Sequence, residues 1–190
     1  MKEYPILFSS EMVRAILDRR KTMTRRVVRP QPYLSADGNR WLWMGKEQGT
    51  DLPLRWILSC PFEVGQRLWV RETWDVYSPK SDFQPSGPPV VTYKADGGYS
   101  ATRPGRWRSP IFMPRMMSRI TLEITAVRVE RVQDIEEEDA AAEGFAVIPY
   151  QGVGDLPSDH FRRYWDSLNA KRGCGWEANP WVFVISFRSL

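Results

Sequence analysis

Apolar and polar positions alternate over several short runs of the chain and recur at helical spacing in three others. Tyr4 to Phe8 predicts a first strand. Ser9 or Ser10 then offers an N-cap, Glu11 suits a first turn, and Val13, Ile16 and Leu17 make one apolar stripe. That helix is expected to end near Asp18 to Arg20. Thr22 to Val28 reads as a second strand, stopped by Pro30 and Pro32. Residues 29–60 read as an irregular connection containing Trp41, Trp43 and Trp56. A turn at Glu63 to Gln66 leads into Arg67 to Glu72, where Leu68, Val70 and Glu72 share one face and Trp69, Arg71 and Thr73 the other. Glu72 thus points the same way as two core aliphatics, which makes it a candidate buried carboxylate.

From Tyr77 to Pro114 the chain is rich in Pro, Gly and Ser. It predicts an insertion with one strand at Val90 to Tyr93 and too little apolar periodicity for a core of its own. Arg119 to Val132 is the longest β signal. Ile120, Leu122, Ile124 and Ala126 alternate on one face before Val127 and Val129 switch to the other, as a bulge or corner requires. Asp134 with Glu137 predicts a capping-box start for a helix running through Ala140 to Glu143, with Gly144 past its end. Ser158 is expected to start a third helix, with Phe161, Tyr164, Trp165 and Leu168 on one side. Trp181 to Phe187 is apolar on both faces and reads as a central strand. Several strands interrupted by three short helices predict an α+β barrel, not a doubly wound sheet, in one domain spanning residues 1–190.

Composition narrows the chemistry. No apolar run approaches the roughly 20 residues that cross a bilayer, and no signal-peptide pattern opens the chain, so a cytoplasmic protein without a membrane partner is expected. Two cysteines, Cys60 and Cys174, and a single histidine, His160, give little basis for a zinc site or a disulfide framework. Placed in an amphipathic helix, His160 reads as a surface residue, which leaves a Ser-His-Asp or Cys-His engine without its base. Gly152-Val153-Gly154 lacks the lysine and spacing of a phosphate loop, so no cofactor and no metal are expected. The net charge of +4 is unevenly spread. Residues 1–29 carry Lys2, Arg14, Arg19, Arg20, Lys21, Arg25, Arg26 and Arg29, whereas residues 134–143 carry six carboxylates and no base. The meeting of two such regions is a candidate site.

The basic region holds a motif. Ile16 to Arg26 resembles the ASCH family signature G-x-K-x-x-T-x-R, with Lys21, Thr24 and Arg26 matching and Arg19 standing where the Gly belongs. Val64 to Val70 is similar to that family's G-D-x-L-x-V strand, with Gln66 in place of Asp. Thr121 to Ile124 and the stretch from Asp134 to Glu143 resemble the strand and helix that follow. The closing Asn179 to Ile185 resembles phage and prophage members in particular. The resemblance implies a PUA-like small mixed β-barrel with flanking short helices and two long insertions, at about 29–60 and 73–115. In the family, the Gly sits where a chain leaves its helix in a left-handed conformation. Arg19 held there costs about 1 kcal/mol.

Some members of the family are N4-acetylcytidine amidohydrolases, and by position their catalytic Lys, Thr and Glu fall on Lys21, Thr24 and Glu143. An amide carbonyl needs a nucleophile, a base to activate it and a group to hold the developing oxyanion. A Lys serves as base when burial or neighbouring cations depress its pKa, and Arg20, Arg25 and Arg26 supply cations. Arg25, Arg26 and Arg106 are candidate substrate-binding cations. Trp69, Trp74 and Trp107 are candidate stacking walls, and Glu72 competes with Glu143 for the role of site carboxylate. The partner implied is a modified nucleoside or RNA. Two other functions fit the same residues: a non-catalytic RNA-binding module with a basic rim of Arg25, Arg26, Arg103, Arg106 and Arg108, and a metal-independent ribonuclease using a Lys and Glu pair.

Overall fold

The computed structural model describes residues 3–34, 41–43, 46–47, 60–77, 90–98, 100, 106–146 and 156–190. In chain order the described elements are β1 (Glu3–Leu7), α1 (Ser10–Leu17), β2 (Met23–Val27), β3 (Tyr33–Leu34), β4 (Trp41–Trp43) and β5 (Lys46–Glu47). There follow β6 (Arg67–Arg71), β7 (Trp74–Tyr77), β8 (Val90–Tyr93), β9 (Thr121–Arg131), α2 (Glu137–Ala142), α3 (Pro157–Asn169) and β10 (Trp181–Ser189). The class is mixed α+β, as the hydrophobic pattern predicts. The main sheet has the order β1-β6-β9-β10-β2, and among the described residues it is not closed into a barrel. Strand β10, apolar on both faces, lies inside that order and not at its edge. The chain divides into two compact units, residues 1–19, 66–123 and 189–190 in the first, 20–65 and 124–188 in the second.

In the first unit β1 runs parallel to β6, and β6 pairs antiparallel with the start of β9, Leu68 opposite Leu122. Helix α1 is capped by the Ser9 side chain, which accepts from the Met12 amide at 3.4 Å. Its buried face is Met12, Val13, Ala15 and Ile16, while Leu17, expected on the apolar stripe, is exposed. The stripe turns by one position because Met12 and Ala15 complete it. Strands β7 and β8 form a two-stranded antiparallel sheet, Trp74 opposite Tyr93. The region expected to lack a core therefore buries Trp74, Ala95 and Met113, together with the polar Asp75 and Ser100.

In the second unit β2 pairs antiparallel with β10, setting Thr24 opposite Ile185 and Arg26 opposite Phe183. Residues 29–60 are not wholly irregular: β3, β4 and β5 make a small antiparallel sheet. The core gathers Val132, Ala140, Phe161, Trp165, Val182 and Val184. Helix α3 presents Phe161 and Trp165 to it, but Leu168 is exposed and Asn169 is buried in its stead. The capping box foreseen at Asp134 belongs to the preceding 3-10 turn, where Asp134 Oδ2 accepts from the Arg131 amide at 3.1 Å. Helix α2 starts two residues later than expected. Trp56, Arg103 and Gly152 to Gly154 lie outside the described residues, as do the side chains of Trp41 and Trp43.

Candidate active site

Three consecutive residues after α1 meet three consecutive carbonyls at the end of α2. Arg20 Nη1 donates to Gly144 O at 3.1 Å, Lys21 Nζ to Glu143 O at 2.8 Å, and the Thr22 amide to Ala142 O at 2.8 Å. The last carbonyls of a helix have no partner within it, and a cation is favoured beside them. The basic stretch and the acidic helix therefore join by a physical need of each. At this junction Lys21 and Glu143 are buried, 3% and 4% exposed.

Lys21 Nζ donates to Glu143 Oε2 at 2.5 Å and to Met23 O at 2.7 Å, besides the bond to Glu143 O. Burial pushes the amine below its ordinary value of 10.5. The Glu143 carboxylate acts against that shift, and Arg26 and Arg25 add to it. The other oxygen of the carboxylate is the exception in this polar cluster. Glu143 Oε1 is buried and accepts no hydrogen bond among the described residues, although Arg25 Nη1 lies 3.6 Å away. A buried carboxylate oxygen without a donor costs about 1–3 kcal/mol or more, so its persistence calls for a reason.

Arg25 is held more closely by two other carboxylates. Its Nη2 lies 2.6 Å from Glu130 Oε1 and 2.5 Å from Asp139 Oδ2, its Nε donates to Glu130 Oε1 at 3.1 Å, and its guanidinium lies over the Phe161 ring at 5.6 Å. Arg128 bonds the same two carboxylates. Thr24, 4% exposed, and Arg26, half-buried, alternate with Arg25 along β2. Burial lowers the Arg26 pKa, with Glu143 and Tyr164 opposing that shift.

The structure thus divides the predicted residues. Lys21, Thr24, Arg25, Arg26 and Glu143 belong to the second unit. Glu72, Trp69, Trp74, Trp107 and Arg106 belong to the first. Glu72 is buried there with Arg119, whose Nε and Nη2 reach its two oxygens at 2.9 and 3.1 Å; burial raises its pKa while Arg119 works against the rise. Trp69 is buried under Arg71, whose guanidinium lies 4.6 Å from the ring centroid. His160 lies on α3 with Nδ1 3.2 Å from Arg163 Nη2. Three contributors were missed in the sequence: Glu130, Asp139 and Tyr164. The spacing of Asp139 and Glu143, i and i+4 on one helix, and of Arg128 and Glu130, i and i+2 on one strand, was the available signal. Among the described residues, no group of three or more His, Cys, Asp or Glu side chains is placed to hold a metal ion, and no helix is long and apolar enough to cross a membrane.

A scan against protein-family models finds none that matches the chain, and searches of curated proteins and of solved structures find no match either.

Proposed function

We propose that the chain is a divergent ASCH-type domain of the PUA-like class that recognises a modified nucleobase and hydrolyses the amide of an N4-acylated cytidine at Lys21, Thr24 and Glu143. The observation that carries the reading is the buried Lys21 and Glu143 pair whose second oxygen, Glu143 Oε1, has Arg25 Nη1 at 3.6 Å but accepts no hydrogen bond among the described residues. A pair kept only for stability would satisfy both oxygens. A site that must take a donor from substrate keeps one acceptor free, and the exocyclic N–H of an acylated cytosine is such a donor. Two further features support the family reading: the lysine pKa is displaced in the direction a base requires, and Arg19, at the family's Gly position, has a φ of 59°.

In the proposed reaction Lys21 loses a proton and gives up one of its three hydrogen bonds, and the freed lone pair takes the proton of the Thr24 hydroxyl while Thr24 Oγ1 bonds to the amide carbon. The carbon–nitrogen bond then breaks, and the proton held by Lys21 passes to the departing cytosine nitrogen. Water then gives a proton to the same amine and bonds to the acyl carbon, the bond to Thr24 Oγ1 breaks, and that oxygen takes the proton from Lys21, with cytidine and a carboxylic acid that ionises as products. Glu143 Oε2 orients the lysine at each step, and Oε1 receives the substrate N–H. Arg26 supplies positive charge beside the carbonyl oxygen.

The test is incubation of the full chain with N4-acetylcytidine, resolved by chromatography, beside Lys21→Ala and Thr24→Val of verified fold. Cytidine is expected from the unmutated chain alone. No cytidine from it, or equal amounts from Lys21→Ala, overturns the reading. Because the base must be unprotonated, kcat/KM is expected to rise with pH and level off above the Lys21 pKa, below the ordinary 10.5. A pH profile without that limb removes Lys21 from the role.

A further inference from the structure

The geometry points to a second binding site, within the first unit: a pocket that takes a nucleotide, its base stacked on Trp107 and Phe112 and its phosphate held by Arg106 and Arg108. This goes beyond the reading of Lys21 and Glu143 and does not rest on it.

The pocket has a volume of about 650 Å³ and includes Trp74, Asp75 and the residues just named in its lining. That volume falls within the range of small-molecule sites. Its walls are built, and not a chance hollow. The Trp74 amide donates to Arg108 O at 3.3 Å and the Arg108 amide to Trp74 O at 2.9 Å, so the basic and aromatic run Arg106 to Arg108 is fastened beside β7. Below it Asp75 is buried, with Oδ2 accepting from Ser100 Oγ at 2.7 Å and Oδ1 from Arg108 Nε at 3.2 Å. The Arg108 guanidinium lies 5.2 Å from the centroid of Trp74, a ring only 4% exposed.

Asp75 engages one edge of Arg108. The opposite edge, the two Nη nitrogens, has no partner among the described residues, and the side chain is 49% exposed. An arginine oriented by a buried carboxylate, with its fork turned outward, is matched to a phosphate or carboxylate. Arg106 adds a second exposed cation without an ion pair among the described residues. Two cations against one carboxylate leave the lining positive, which selects an anion. The aromatic walls decide what kind of anion. Phe112 is 76% exposed and Trp107 half-buried, and both line the pocket. A phosphate joined to a planar heterocycle satisfies both halves of the pocket, and stacking of this kind accepts any base.

The same chemistry is offered by a free nucleotide and by a single strand of nucleic acid, and two probes distinguish them. Adenosine 5′-monophosphate and a ten-residue oligoadenylate are titrated into the full chain at low salt, followed by tryptophan fluorescence and calorimetry. Quenching with saturable binding is expected. Equal affinity for the two probes assigns the site to mononucleotides, and binding of the oligomer alone assigns it to strands. Trp107→Ala is expected to weaken binding about 5- to 150-fold, with Trp107→Phe retaining most of it. Arg106→Gln with Arg108→Gln is expected to lower the slope of log affinity against log salt by about one for each phosphate no longer neutralised. Absence of binding for both probes overturns the proposal. So does full-strength binding in Trp107→Ala or in the double arginine variant.

Discussion

At the scale of single residues, the pairing of Lys21 with Glu143 predicts opposite results for single and double substitutions. Lys21→Met leaves the buried Glu143 carboxylate without its closest cation, only Arg25 Nη1 remaining at 3.6 Å, and is expected to cost up to about 3–5 kcal/mol in urea denaturation. Adding Glu143→Leu removes the stranded charge and is expected to recover most of that loss without restoring activity. The sign of the pH dependence follows from the burial of the amine. Since folding lowers the Lys21 pKa below 10.5, the unfolded chain binds more protons between the folded value and 10.5. Stability therefore rises with pH through that window, and Lys21→Met is expected to lose this rise. Arg19 is a second residue under constraint. At φ 59° its side chain meets the steric cost that glycine avoids, so Arg19→Gly is expected to raise stability by about 0.5–1 kcal/mol, read as a higher urea midpoint at unchanged m-value.

At the scale of elements, α2 depends on its neighbours more than on itself. Its six residues open without a side-chain cap, and Arg20 to Thr22 satisfy the carbonyls at its end. Gly144 leaves it at φ 100°, so Gly144→Ala is expected to cost about 1–2 kcal/mol and to lower activity by displacing Glu143, measured by denaturation and turnover together. Most of this element was legible in the sequence: its position, its acidic face and the glycine after it. Its start was not, because Asp134 finds a local partner in the Arg131 amide, and that choice between two short hydrogen-bonded turns depends on the path of β9. The outline of β1, α1, β2, β6 and β10 was likewise legible from alternation and helical spacing. The face of α3 was half legible, since Asn169 bonds back to Trp165 O at 3.2 Å and takes a buried place that hydrophobicity alone awards to Leu168. The burial pattern of β9 also keeps its alternation only to Ile124, with Ala126 already exposed. What no local pattern carries is the choice of long-range partners, such as Arg25 with Glu130 and Asp139, or Glu72 with Arg119.

At the scale of the molecule, the two proposed sites fall into two electrostatic regimes. The Lys21 and Glu143 pair is buried and its proposed substrate is uncharged, so hydrolysis is expected to vary little with salt. Binding at Arg106 and Arg108, both exposed, is expected to weaken steeply, and a salt series on the two assays separates them. The division into two units had no counterpart in the sequence reading, because neither unit is a continuous stretch. The chain passes from one to the other after Arg19, Gly65, Glu123 and Arg188, the third and fourth times within a strand, β9 and β10. This path has a genetic consequence. A crossover at any one of those junctions exchanges a fragment and never a whole unit, so the two units descend together, and the residues that complete each must change in step across distant stretches of one reading frame.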